Sequence, residues 1–262
     1  MNKVLIYRII SFVLPFIYLL EQLFGIGHGL YNGELGEGFG GQFRYLTIWA
    51  LIAHVFVGYR LLRISFGAKD TLNNGIVGAA AALGFYVVIM YWGLFLIDPQ
   101  LINGDHKPFW LREYYLHFFG PAILWIDTVF IRKALKNIRS MVAFNISVCI
   151  LYCIWIEFII RPFNLEPIGS VTSGLPYPFL NDMSVFERLI FYAFSIILGI
   201  IPMLLSRYLG MFAFDLYQNR QVPFAYKLEM PFFLTYVGAL HVMLRHFFHY
   251  DGAVIRKLRP IL

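Results

Sequence analysis

Apolar residues fill this chain in long unbroken blocks, without the alternation that would leave one face polar. Six blocks, at roughly 4–24, 43–62, 75–97, 114–131, 142–161 and 187–207, each run for about 20 residues. A helix rising about 1.5 Å per residue needs about that many to cross a hydrocarbon core roughly 30 Å thick. Inside lipid the backbone must satisfy its own hydrogen bonds, so each block predicts a membrane-spanning helix. The predicted fold is all-α, a polytopic membrane bundle of about six transmembrane helices over residues 1–207. A seventh apolar run, Phe232 to Tyr250, contains His241, Arg245, His246 and His249 and is followed by Arg256, Lys257 and Arg259. A seventh crossing would carry that basic tail to the wrong side. Residues 208–262 therefore predict a C-terminal extension whose helix lies in the interface or is partly inserted.

Composition agrees with this pattern and excludes a soluble domain. Of 262 residues, 60% are hydrophobic and only 14% charged, against about 25% charged in soluble domains. Met1 to Phe24 lacks the short apolar core and small-residue cleavage site of a signal peptide, so it reads as the first span. Arg60, Arg63 and Lys69 follow the second block, and Arg132, Lys133, Lys136 and Arg139 follow the fourth. The acids Glu34, Glu37, Asp98, Asp105, Glu166 and Asp182 fall in the loops after the first, third and fifth. By the positive-inside rule the N-terminus is cytoplasmic, in a plasma or inner membrane by default. The net charge of +6 is then a topology signal and does not argue for nucleic acid. The expected partners are membrane lipids.

Several motifs lose their first appeal in this setting. Cys149 and Cys153 sit four apart inside one apolar block, as packing residues outside any disulfide framework. The segment Gly25 to Gly41 holds eight glycines, but no strand precedes it, so a phosphate-binding loop is excluded. Pro162 to Asp182 is long enough to fold back over the mouth of the bundle. No internal repeat is visible, which weakens a transporter built from duplicated halves. His241, His246 and His249 are too few for a histidine-clustered membrane oxidoreductase, so neither metal nor cofactor is expected.

Ionisable and polar side chains are costly within a span, and each is a functional hypothesis. Thr47, early in the second block, lies about 6 Å below the surface at 1.5 Å per residue. His117 in the fourth block and Glu157 in the fifth fall at nearly the same depth, and Glu21 near the end of the first joins them. A hydroxyl becomes a useful nucleophile when an imidazole takes its proton, and a carboxylate can orient that imidazole. Glu157 and Glu21 are the candidates for the orienting role. Asp127 lies ten residues beyond His117, ~15 Å along the helix, and is excluded. The structural alternatives stand beside this reading. Thr47 fits a backbone-bonded hydroxyl, His117 fits an interfacial or structural histidine near a helix end, Glu21 and Glu157 fit partners of Arg44 or Arg161, and His54, two turns beyond Thr47, fits a core histidine or a site-lining one.

The run Gly40-Gly41-Gln42-Phe43-Arg44-Tyr45-Leu46-Thr47 resembles the lead-in to the second span of the androgen-induced, androgen-dependent transmembrane protein family. His117, with Pro121 and Asp127 after it, is similar to that family's fourth span. Ile150-Leu151-Tyr152 to Trp155 resembles its fifth, and Tyr177-Pro178-Phe179-Leu180 its element before the last. The resemblance covers residues 1–207, in the same order. It implies a threonine hydrolase of fatty-acid esters of hydroxy fatty acids, with Thr47 as nucleophile and His117 as base. The chain departs from the family at Tyr114 and at Glu157, where histidines are common.

The function so implied is an intramembrane lipid-ester hydrolase, its acyl chains lying along Phe43, Trp49, Phe118, Phe119 and Trp155. The alternative is a non-enzymatic lipid-binding protein or proton-coupled transporter, using Glu21, His54, Asp127 and Glu157.

Overall fold

A computed structural model describes residues 3–24, 38–103, 109–135, 138–165, 174–201, 203–205, 207–208 and 211. The chain divides into two compact units, Met1–Arg207 and Tyr208–Leu262. The apolar run 232–250, with its histidines, lies outside the described residues.

Among the described residues there is no strand, and six helices are long and apolar enough to cross a membrane. They are α1 (Lys3–Phe24), α2 (Leu46–Ser65), α3 (Asn74–Ile97), α4 (Trp110–Ile131), α5 (Ile138–Phe163) and α6 (Val185–Leu205). The protein is a multi-pass membrane helix bundle. Two boundaries differ from the hydropathy pattern. The second helix starts at Leu46 because Gly41–Arg44 forms a separate 3-10 turn. The fourth starts at Trp110, four residues before its apolar block. Arg112 and Glu113 interrupt the apolar run there, but they pair with each other at 3.1 Å and the helix runs through them.

Successive helices run in opposite directions, so the bundle has a Lys3 end and a Trp110 end. The central helix is α3, which packs on α2, α4 and α5. Its run from Gly75 to Gly84 is made of small and apolar residues and is buried except for the partly buried Ile76, with Met141 seated over Gly78 and Pro121 over Gly84. Small residues let helix backbones approach where lipid supplies no hydrophobic drive between helices.

At the Lys3 end a buried ion pair ties α1 to α4. Arg8 Nε donates to Asp127 Oδ2 at 2.9 Å and Arg8 Nη2 to Asp127 Oδ1 at 3.1 Å. The remaining Arg8 nitrogen reaches Ser65 Oγ on α2 at 2.9 Å. Nearby, Arg132 bonds Asn74 Oδ1 and the Leu72 carbonyl, each at 3.0 Å, and clasps Asp70. Its hydrogen bonds hold the Asp70 carboxyl below the usual carboxylate range.

Among the described residues three π turns interrupt the helices, at Tyr115–Phe119, Asp127–Ile131 and Trp155–Ile160. They hold His117, Asp127 and Glu157 respectively. Single π turns of this kind are frequent at functional sites, because the additional residue redirects the side chains around it.

α1 and α2 approach closely at Gly58, where an added Cβ would lie 3.0 Å from the Ser11 carbonyl oxygen and 3.4 Å from Phe12 Cα. At Gly93 an added Cβ meets nothing within 4 Å. Gly58→Leu should therefore destabilise the bundle by about 1–3 kcal/mol through overpacking. Gly93→Leu should be close to neutral. Thermal unfolding of both variants in detergent checks the contrast.

Candidate active site

The loop before α2 positions its first turn. Gly38, Gly40 and Gly41 have φ of 103°, 89° and 47°, a left-handed backbone that only glycine adopts without strain. These turns drop the chain into the 3-10 turn Gly41–Arg44 and then into α2, with Thr47 the second helical residue. Asn164 at the end of α5 clasps this loop, accepting from Phe39 N at 2.9 Å and donating to Phe39 O at 3.1 Å. Two indoles, Trp49 Nε1 and Trp155 Nε1, donate to the Phe43 carbonyl at 3.0 and 3.1 Å. The Tyr152 hydroxyl donates to the Arg44 carbonyl at 2.7 Å, and the Leu46 amide donates to the Tyr177 hydroxyl at 3.4 Å. Thus Tyr177-Pro178-Phe179-Leu180 serves to hold the start of α2. The buried Arg44 guanidinium lies 5.9 Å from the Tyr45 ring centroid.

Thr47 meets His117 across the α2–α4 contact, with Oγ1 and Nε2 3.3 Å apart. The imidazole is buried, with one ring face stacked and both nitrogens facing polar partners. Its ring stacks on Tyr91 of α3, with centroids 3.6 Å apart and planes 7° from parallel. The backbone carbonyl of His117 accepts from Trp92 Nε1 at 2.9 Å. The ring Nδ1 faces two oxygens of Glu113, the backbone carbonyl and Oε2, both at 3.1 Å. Both of these are acceptors, so in the neutral ring Nδ1 carries the hydrogen and Nε2 presents its lone pair to Thr47. That is the tautomer a base for the Thr47 hydroxyl needs.

The carboxylate beside His117 therefore comes from Glu113, one turn earlier on α4, and the expected orienting residues are held elsewhere. Glu157 accepts from Arg188 Nε at 2.7 Å, Tyr192 Oη at 2.9 Å and Arg161 Nη1 at 3.2 Å. Three donors occupy its two oxygens, on the α5–α6 side of the bundle. Glu21 hydrogen-bonds its neighbour Gln22. His54 is buried two turns along α2 from Thr47, with its ring against the Ser11 backbone of α1. Asp127 is taken by Arg8.

The expected lining residues also divide. Trp49 and Trp155 both donate to the Phe43 backbone carbonyl, four residues before Thr47, and their rings are 6.5 Å apart, while the Phe43 side chain is exposed. Phe118 is half exposed and meets Phe119 edge-on at 5.2 Å, facing outward. It follows His117 in sequence and so points roughly a quarter turn away around the helix. Tyr91 and Glu113 were not among the expected residues. The spacing of Glu113 and His117, four apart and so on one helix face, is the signal that marks the acid. Among the described residues no group of three or more His, Cys, Asp and Glu could hold a metal ion.

No curated protein and no solved structure matches the chain. A family model described as FAR-17a/AIG1-like protein matches residues 10–210, which include all six spans and the Thr47–His117 contact, apart from the first residues of α1. This chain is therefore a member of the FAR-17a/AIG1-like family.

Proposed function

We propose that this protein is an intramembrane lipid-ester hydrolase with Thr47 as nucleophile and His117 as base, acting on fatty-acid esters such as those of hydroxy fatty acids. The observation that carries the reading is the 3.3 Å contact between Thr47 Oγ1 and the Nε2 of an imidazole whose other nitrogen faces only acceptors. Family membership supports it.

In the first step Thr47 Oγ bonds to the ester carbonyl carbon as its proton passes to His117 Nε2. The carbonyl oxygen becomes an oxyanion, near the N-terminal end of α2, where the helix dipole favours negative charge. The tetrahedral intermediate collapses when Nε2 returns the proton to the departing alkoxide, leaving an acyl-threonine and a free alcohol. Water then gives a proton to Nε2 and attacks the acyl carbon. Cleavage of the carbon–Oγ bond, with return of that proton to Oγ, releases the fatty acid and restores the site. A lipid substrate would enter sideways from the bilayer, past the aromatic side chains of Trp49 and Trp155. The basic loops at the Lys3 end support a cytoplasmic N-terminus, which puts the reaction in the opposite leaflet.

A proton-coupled path gains no support, because Asp127 and Glu157 are each engaged by arginine. Labelling of the detergent-purified protein with a fluorophosphonate, followed by peptide mapping, tests the proposal. Label on Thr47 is expected, and its loss in His117→Ala. Label confined to another residue, or none while an ester is being hydrolysed, would overturn it.

A further inference from the structure

Building on that reading, we infer that Glu113 is the positioning residue of the reaction, and that Arg112 dictates how it acts. Glu113 is buried, with relative exposure of 7%, and its two carboxylate oxygens have different partners. Oε1 accepts from Arg112 Nε at 3.1 Å, and Oε2 faces His117 Nδ1 at 3.1 Å. A buried carboxylate is costly unless it is paired, and the adjacent guanidinium supplies the pairing. The second oxygen is then free to hold the imidazole N–H. Tyr91 fixes the plane of the ring by stacking, while Glu113 fixes its rotation within that plane and its tautomer. When Nε2 takes the Thr47 proton the ring becomes a cation, and the Glu113 carboxylate is the anion in contact with it.

The division of labour between the two oxygens makes an unusual forecast for the isosteric variant. In Glu113→Gln the amide has one acceptor and one donor end. Arg112 has only donors, so the amide oxygen turns to Arg112 and the NH2 group turns to His117. A donor opposite Nδ1 competes with the backbone carbonyl of residue 113 and draws the ring hydrogen toward Nε2, which then presents an N–H, and no lone pair, to Thr47. The glutamine variant has the right shape and the wrong tautomer. In Glu113→Ala the nitrogen still faces the backbone carbonyl of residue 113, so a fraction of rings keeps the productive form.

The test uses the full-length protein in detergent, with a fluorophosphonate probe and the p-nitrophenyl ester of a medium-chain fatty acid. Glu113→Gln is expected to lower both the labelling rate and kcat by about 10²–10⁴-fold, the range of general-base catalysis, with KM little changed. It should be no more active than Glu113→Ala, although it folds as well or better. Glu113→Asp, which keeps the charge at a longer reach, should fall between wild type and alanine. A purely structural role predicts the reverse order, with glutamine the best of the three. Glutamine activity near wild type would overturn the assignment, as would an alanine variant slower than a folded glutamine variant. If Glu113→Gln does not yield folded protein, the Asp and Ala pair decides: equal rates in the two would overturn it. Thr47→Ala and His117→Ala run alongside. Full activity in those two sinks the hydrolase reading itself. Loss there with an indifferent Glu113 sinks only this inference.

Discussion

Thr47→Ala is expected to cut ester turnover by at least about 10³-fold without unfolding the protein. The side chain is only partly buried and, among the described residues, its hydrogen-bond partner is His117, so its removal leaves no large cavity. His117→Ala should cost about as much, because a threonine hydroxyl with no base is a poor nucleophile. The double variant should be no slower than either single one, since residues acting as a unit lose their effect together. Thr47→Ser keeps the hydroxyl and should retain most of the rate. Steady-state kinetics on monodisperse protein measure all four. Additive losses in the double variant would mean that the two residues act independently, which the mechanism does not allow.

Asp127→Ala carries the largest expected cost in stability. Asp127 is fully buried, and its two oxygens take two of the Arg8 nitrogens. Its removal strands a guanidinium among α1, α2 and α4, and breaking a buried pair typically costs 3–5 kcal/mol. Arg8→Met combined with Asp127→Leu removes both charges and should recover most of that loss, since apolar replacements of buried pairs are often neutral or better. Chemical unfolding in detergent or bicelles gives the comparison. A double variant as unstable as Asp127→Ala would show that the pair stabilises by more than avoiding a lone charge.

The lipid environment simplifies the sequence. Spans are legible because a hydrocarbon slab demands continuous apolar helix of nearly fixed length. Depth then follows by counting residues, which is how Thr47 and His117 come to one level before any contact is known. Counting along a helix says nothing of rotation around it, so depth alone does not reveal that Phe118 is half exposed. Glu113 escaped notice because hydropathy stops at charged residues, whereas a helix does not: the Arg112–Glu113 pair carries α4 four residues past its apolar block. Glu157 sits at the right depth but on a helix whose polar face turns to α6, where Arg188 and Tyr192 meet it. Tyr91 gave no signal of its own, as one aromatic residue among many in α3.

The π turns at Tyr115–Phe119, Asp127–Ile131 and Trp155–Ile160 also bear on how this chain should be compared with others. Each holds about one residue more than an α turn, so the helix beyond it is out of phase with the helix before it. A continuous helical wheel drawn through α4 therefore assigns the wrong faces after His117, and again after Asp127. A relative with one residue fewer in such a turn would keep the same faces inward on both sides by closing it to an α turn. Single-residue gaps in an alignment of these chains belong inside the fourth and fifth spans, where gap penalties for membrane helices are usually set highest.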